Sequence, residues 1–204
     1  MKYISKLVAS VVLAGITFPA AAQLTLSLAP STQTTGLGGE VTYNIDISGL
    51  KSSPDYNGPA LGAFSITLDF DSSTASAQSV TIGTLLSNAG PGNDFQVSDL
   101  STPGQIYLSD MSFDSAALLE ASQPASFVLG SFTLEGTGLG STAISFDLAN
   151  TSLSDENGLG LTLSTANGAT LTVVPEPGTC ALVGLGLVGL VAQSRRRLSR
   201  LNKC

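Results

Sequence analysis

Between residues 23 and 173 apolar and polar side chains alternate with a period of two, run after run. Leu24, Leu26 and Leu28 alternate with Thr25 and Ser27, and Val41, Tyr43, Ile45 and Ile47 do the same in EVTYNIDIS. Phe64, Ile66, Leu68 and Phe70 follow in AFSITLDFD, then Val80 with Ile82, Ile106 with Leu108, and Phe132 with Leu134. Ile144, Phe146 and Leu148 alternate in STAISFDLA, and LGLTLS and ATLTVV close the series. Successive side chains of a strand point to opposite faces, so each run buries one face and wets the other. Gly38-Gly39, Asn57-Gly58-Pro59, Pro91-Gly92-Asn93, Asn157-Gly158 and Asn167-Gly168 separate the runs with turn-forming residues. About nine short strands so spaced predict an all-β, antiparallel β-sandwich of jelly-roll type. DSAALLEAS, residues 114–122, is the one stretch that reads as a helical turn.

The two ends break this pattern. Residues 1–22 carry Lys2 and Lys6, an apolar stretch over 7–18, and Ala20-Ala21-Ala22 as a small-residue cleavage site. These are the parts of a secretory signal peptide cut after Ala22. At the other end, residues 181–192 hold no charge and are mostly Leu, Val, Gly and Ala. As a helix that run spans roughly 18 Å, short of a bilayer core of about 30 Å. It is apolar all round, unlike a core helix, and it runs into Arg195, Arg196 and Arg197. Long arginine side chains can snorkel to the interface, so a single hydrophobic helix over about 179–194 is expected to sit in the membrane. By the positive-inside rule the arginines stay in the cytoplasm while the middle of the chain is exported.

The composition of the middle limits its chemistry. The chain has 8 basic and 15 acidic residues, and Lys51 is the one base outside the two ends. The central region therefore carries a charge of about −13, which repels nucleic acid and anionic lipid and suits cations or a basic partner. Acidity also keeps an exported protein soluble without any ligand. The middle contains no cysteine, histidine or tryptophan, so no disulfide is available there and the core alone must hold the fold. The usual zinc ligands and the Ser-His-Asp and Cys-His nucleophile systems are missing as well.

Two resemblances follow from particular residues. Pro175-Glu176-Pro177, a hydrophobic span and Arg195-Arg196-Arg197 together resemble the PEP-CTERM sorting signal of Gram-negative bacteria. That resemblance implies recognition by an exosortase, a membrane protease that processes the tail and passes the protein to the cell surface or matrix. Cys180 departs from the small or aliphatic residue expected there. It reads as a small hydrophobe or as a lipidation site. The second resemblance covers roughly residues 24–173. Gly39-Glu40-Val41-Thr42-Tyr43, the GAFSITLDFD strand from Gly62 to Asp71, the run from Val80 to Leu86, Gly130-Ser131-Phe132-Thr133-Leu134 and Leu153-Ser154-Asp155-Glu156-Asn157-Gly158 are similar to cohesin-like or carbohydrate-binding-module-like jelly rolls. It implies a nine-stranded sandwich that binds a dockerin-like protein or an extracellular polysaccharide without catalysis.

The organisation expected is thus a signal peptide (1–22), a cohesin-like sandwich (23–173) and a sorting tail (174–204). No cofactor is expected. Calcium is the one ion the candidate residues would suit, because its ligands are hard oxygens. Asp69 and Asp71, two apart on one predicted strand, would share a face and could hold such an ion or act as an acid/base pair; both could equally lie on the wet face. Asp155, Glu156 and Asn157 crowd oxygens into a hairpin, although Asp, Asn and Gly are also what a turn requires. Tyr56, beside Asn57-Gly58, and secondarily Tyr107 are the candidate exposed aromatics for a sugar. The leading expectation is a non-catalytic exported surface or matrix protein, held transiently in the inner membrane before processing. The alternative is a polysaccharide hydrolase working through two facing carboxylates.

Overall fold

The structure, a computed structural model, describes residues 23–50 and 59–175. Ala20, Ala22, Tyr56, Glu176, Pro177, Cys180 and Arg195–Arg197 lie outside the described residues, as does the expected helix over 179–194. No helix among the described residues is long and apolar enough to cross a membrane.

Among the described residues twelve strands and one helix form a two-sheet sandwich. The strands are β1 Thr25–Ala29, β2 Thr32–Gly36, β3 Glu40–Ser48, β4 Leu61–Asp69, β5 Ala75–Ile82, β6 Asp94–Asp99, β7 Gln105–Ser112, β8 Ser126–Gly136, β9 Gly140–Phe146, β10 Ser152–Asp155, β11 Thr165–Asn167 and β12 Ala169–Val174. Helix α1, Ala116–Ser122, lies between β7 and β8. One sheet has the order β11-β1-β3-β8-β5; the other has β2-β12-β9-β4-β7-β6, with β10 beside β4.

The alternating runs supply the core. Leu26, Ile45, Ile47, Ile66, Leu68, Ile106, Leu108, Leu134 and Leu171 are fully buried, and Phe64, Phe132 and Val173 nearly so. Burying one such side chain stabilises the fold by roughly 1.5–3 kcal/mol. Tyr43 on β3 faces Phe132 on β8 in register, with stacked rings 5.5 Å apart. Its hydroxyl donates to the Thr170 carbonyl on β12 at 3.1 Å, which ties the sheets together, and burial pushes its pKa up to about 12.

Twelve strands stand where about nine were expected, and the extra ones have physical reasons. β2 is TQTTG, an edge strand with no apolar phase to betray it. β1 and β2 are one run divided at the cis Ala29–Pro30 bond, and β11 and β12 are one run divided at Gly168. Each run starts in the first sheet and ends in the second, so β1 pairs β11 and β12 pairs β2, both in parallel. The other ladders are antiparallel. LGLTLS forms no strand: Leu161 and Leu163 pack on the core while the backbone reaches it through single bonds, Leu161 N to Leu153 O and Ser164 N to Leu24 O. Leu148 is also not inward. β9 ends at Phe146, and Leu148 stands 61 % exposed in a turn capped by Asp147. The expected helical turn is α1, with Ser115 as N-cap and Leu119 buried. Just beyond it, Gln123 clamps the start of β4, accepting from Leu61 N and donating to Leu61 O, each at 2.7 Å.

Candidate functional site

The outer face of the β6-β7-β4-β10 sheet gathers most of the exposed apolar strand residues. Registers place Phe95 opposite Met111, and Met111 opposite Ala63. The next row is Val97, Ser109, Ser65 and Ser152; beyond it lie Asp99, Tyr107 and Thr67. Phe95 is 59 % exposed and Met111 47 %, with Val97 and Phe113 exposed on the same phase. Between them runs a groove of about 370 Å³, lined by Phe95, Met111, Ser109, Ser65 and Ser154 among others. Short Ser and Thr side chains beside two large apolar ones make an open, accessible surface. Tyr107 lies on this face but is half-buried; Ser65 Oγ donates to its hydroxyl at 3.4 Å. Hydrogen bonds from Ser109 and Ser65 hold its pKa below the usual value.

The candidate carboxylates are placed apart. Asp155 is opposite Leu61 at the start of β4, whereas Asp69 ends that strand, roughly 25 Å away at 3.3 Å per residue. The two clusters therefore cannot form one site. Asp69 and Asp71 do not share a strand: β4 stops at Asp69, because the chain turns and Thr74 N and Ala75 N donate to the Asp71 carbonyl. Asp69 accepts from Gln105 Nε2 at 3.1 Å, while Asp71 accepts from Ser73 N at 2.8 Å and Ser73 Oγ at 2.7 Å. The Ser73 bonds lower the Asp71 pKa.

Asp155, Glu156 and Asn157 form a turn in which Asp155 Oδ1 and both Glu156 oxygens already have donors. Asp155 Oδ1 accepts from Asn157 N at 2.9 Å and Leu159 N at 2.8 Å. Glu156 Oε2 accepts from Ala60 N at 2.8 Å, and its Oε1 from Asn157 Nδ2 at 2.9 Å. Gly158 takes the left-handed φ of +79° that lets the chain reverse. Among the described residues no group of three or more His, Cys, Asp or Glu side chains could hold a metal ion.

One carboxylate was not singled out from sequence. Asp110 continues the inward phase of Ile106 and Leu108 on β7 and is 1 % exposed. Oδ2 accepts from Gln96 Nε2 at 3.3 Å, the Met111 N–H beside the carboxylate also favours its charged form, and Oδ1 has no partner of good hydrogen-bond geometry. Burial, with the charge of Asp94 nearby, raises its pKa to about 6. The signal was present, because extending the Ile106/Leu108 alternation by one step reaches Asp110. Phe95 was missed for the converse reason, since the apolar phase of the edge strand β6 faces outward, and Met111 because it ends the otherwise polar outward phase of β7.

Comparison with known proteins agrees with this fold. Residues 173–197 match the PEP-CTERM protein-sorting motif, so the chain carries that motif at the end of β12. No curated protein matches the chain. Among solved structures it is similar to a cohesin from Clostridium acetobutylicum, at 20 % identity and a TM-score of 0.58, over 78 % of this chain and 95 % of that one. A type II cohesin domain from the cellulosome of Acetivibrio cellulolyticus gives 17 % identity and a TM-score of 0.57, over 73 % and 95 %. A type I cohesin–dockerin complex from Clostridium thermocellum gives 13 % and 0.56, over 75 % and 94 %. The fold is cohesin-like.

Proposed function

We propose that this is an exported, non-catalytic surface or matrix protein whose sandwich docks a dockerin-like protein partner through the outer face of β6, β7, β4 and β10. The observation that carries it is the pair Phe95 and Met111, side by side and exposed on a serine-rich sheet face. Buried aromatic anchors within a polar surround are what protein interfaces use for affinity. The similar cohesins, one of them solved with a dockerin, support that class of partner. Export rests on the sorting motif. In this reading the signal peptide leaves after Ala22, Pro175-Glu176-Pro177 and Arg195-Arg196-Arg197 are read by an exosortase, and the tail holds the protein in the inner membrane until processing.

Binding of the full-length protein to a panel of dockerin domains tests the reading. Phe95→Ser and Met111→Ser should each weaken binding about tenfold or more, which is about 1.4 kcal/mol per decade. Unchanged affinity in both variants would remove the face from the proposal; binding to polysaccharide in place of every dockerin would replace the partner class. Truncation after Val174 should release the sandwich from the envelope with its melting temperature unchanged, because Val174 is the last residue of β12.

A further inference from the structure

On the inner side of β6, three oxygens converge on one nitrogen. Gln96 Nε2 lies 2.7 Å from Asp94 Oδ2, 3.2 Å from the Gly83 carbonyl oxygen and 3.3 Å from Asp110 Oδ2. An amide nitrogen has two hydrogens, so three acceptors cannot all be served well. Two of the acceptors are carboxylates, and the described residues contain no Lys, Arg or His to neutralise them. Asp110 is buried and its Oδ1 has no partner, a costly arrangement unless a further positive group engages the carboxylate.

We propose that Asp94, Asp110, Gln96 and the Gly83 carbonyl form a binding site for one calcium ion at the β6–β7 edge. The Gln96 amide can turn about its last torsion and place Oε1 where Nε2 stands, because the two ends are nearly the same size. A cation near that point then meets four oxygens of three kinds, carboxylate, amide and backbone carbonyl. Calcium accepts such a mixed set at flexible geometry and completes its shell with water, whereas magnesium demands a stricter octahedron. Engaging Asp110 through both oxygens would also satisfy Oδ1.

The frame is built in advance. A Cβ on Gly83 would lie 2.8 Å from the Val128 carbonyl and 3.0 Å from that of Leu129, so glycine lets the backbone press against β8 and holds its carbonyl in place. Asp114 secures the preceding loop by accepting from Asn88 N at 2.7 Å. An entry path exists as well: Gln96 is exposed, and a cavity of about 300 Å³ lined by Thr84, Ser87, Pro91, Gly92, Asp94 and Gln96 opens beside it. This site is separate from the Asp155 turn and does not depend on the docking face.

Full-length protein in detergent should retain one calcium per chain in equilibrium dialysis. With 1 mM calcium its melting temperature should rise roughly 5 °C over the chelator-treated protein, and by less with magnesium. Asp110→Asn and the exposed Gln96→Ala should each abolish the rise, whereas Asp147→Asn should keep it. No retained calcium, or a rise that survives both site variants, would overturn the proposal.

Discussion

Asp155 and Asp110 are both strand carboxylates of the same sheet, and the protein holds them in opposite ways. Asp155 Oδ1 collects two backbone N–H groups of a turn in which Glu156 and Asn157 are also engaged. Asp110 is buried, with one long hydrogen bond from Gln96, the Met111 N–H nearby and a second acid beside it. Adjacent acids marked the first region in the sequence, yet Asp155 Oδ1 and both Glu156 oxygens are occupied by the chain itself. The second region also holds two acids, far apart in the sequence, and Asp110 Oδ1 is idle. Ligand sites are recognised by unmet hydrogen-bonding capacity, and acidity alone does not reveal it.

Substitutions should separate the two regions by sign. The largest effect is expected at Asp110: in chelator at neutral pH, Asp110→Asn should stabilise the fold by roughly 2 kcal/mol, since it removes a buried charge and keeps the shape. Urea unfolding measures this directly, and a destabilised variant would show that the ionised carboxylate is better served than its contacts suggest. Glu156→Ala should act the other way, costing about 1.5 kcal/mol, because it strands the buried Ala60 N–H. Asp155→Ala should cost about 1 kcal/mol, less because water reaches that turn.

The pH dependence sharpens the same contrast. Asp110 titrates near 6 in the folded chain against 3.8 for the unfolded reference, so between those values the folded state binds more protons. Its contribution to stability therefore falls as pH rises from about 4 to about 6 and stays low above. Asp71, Asp99 and Asp147 behave oppositely. Hydrogen bonds from Ser73, Ser101 and Asn150 lower their pKa values, so they support the fold at neutral pH and lose that support as acid protonates them. Chelator-treated wild type should show a steeper decline in melting temperature above pH 4 than Asp110→Asn, which keeps only the smaller contribution of Asp46, whose pKa burial also raises, while both should lose stability in stronger acid. A matching decline in the variant would assign it to other groups.

The face proposed for docking was only half legible. DFQVSD in β6 does alternate, with Phe95 and Val97 in one phase, but alternation says that two faces differ and not which one is covered. β6 ends its sheet, and Gln96 and Ser98 on its other side are solvent-exposed, so the apolar phase points outward. Likewise Asp69 and Asp71 looked like a pair because their spacing is right for a strand, and the chain turns between them.

The sequence by itself determined the sandwich: period-two runs, a core of Leu, Ile, Val and Phe without disulfides, and a sorting motif outside the alternation. Those are local properties, written in neighbouring residues and in the covalent order of the chain. Only the tertiary structure decided that the first and last runs each divide between two sheets, that Phe95 and Met111 lie together in the open, and that Asp94, Gln96, Asp110 and the Gly83 carbonyl meet at one point. Strand order sets which edges stay uncovered and which distant oxygens converge, and strand order depends on long-range pairing that no short window of sequence contains.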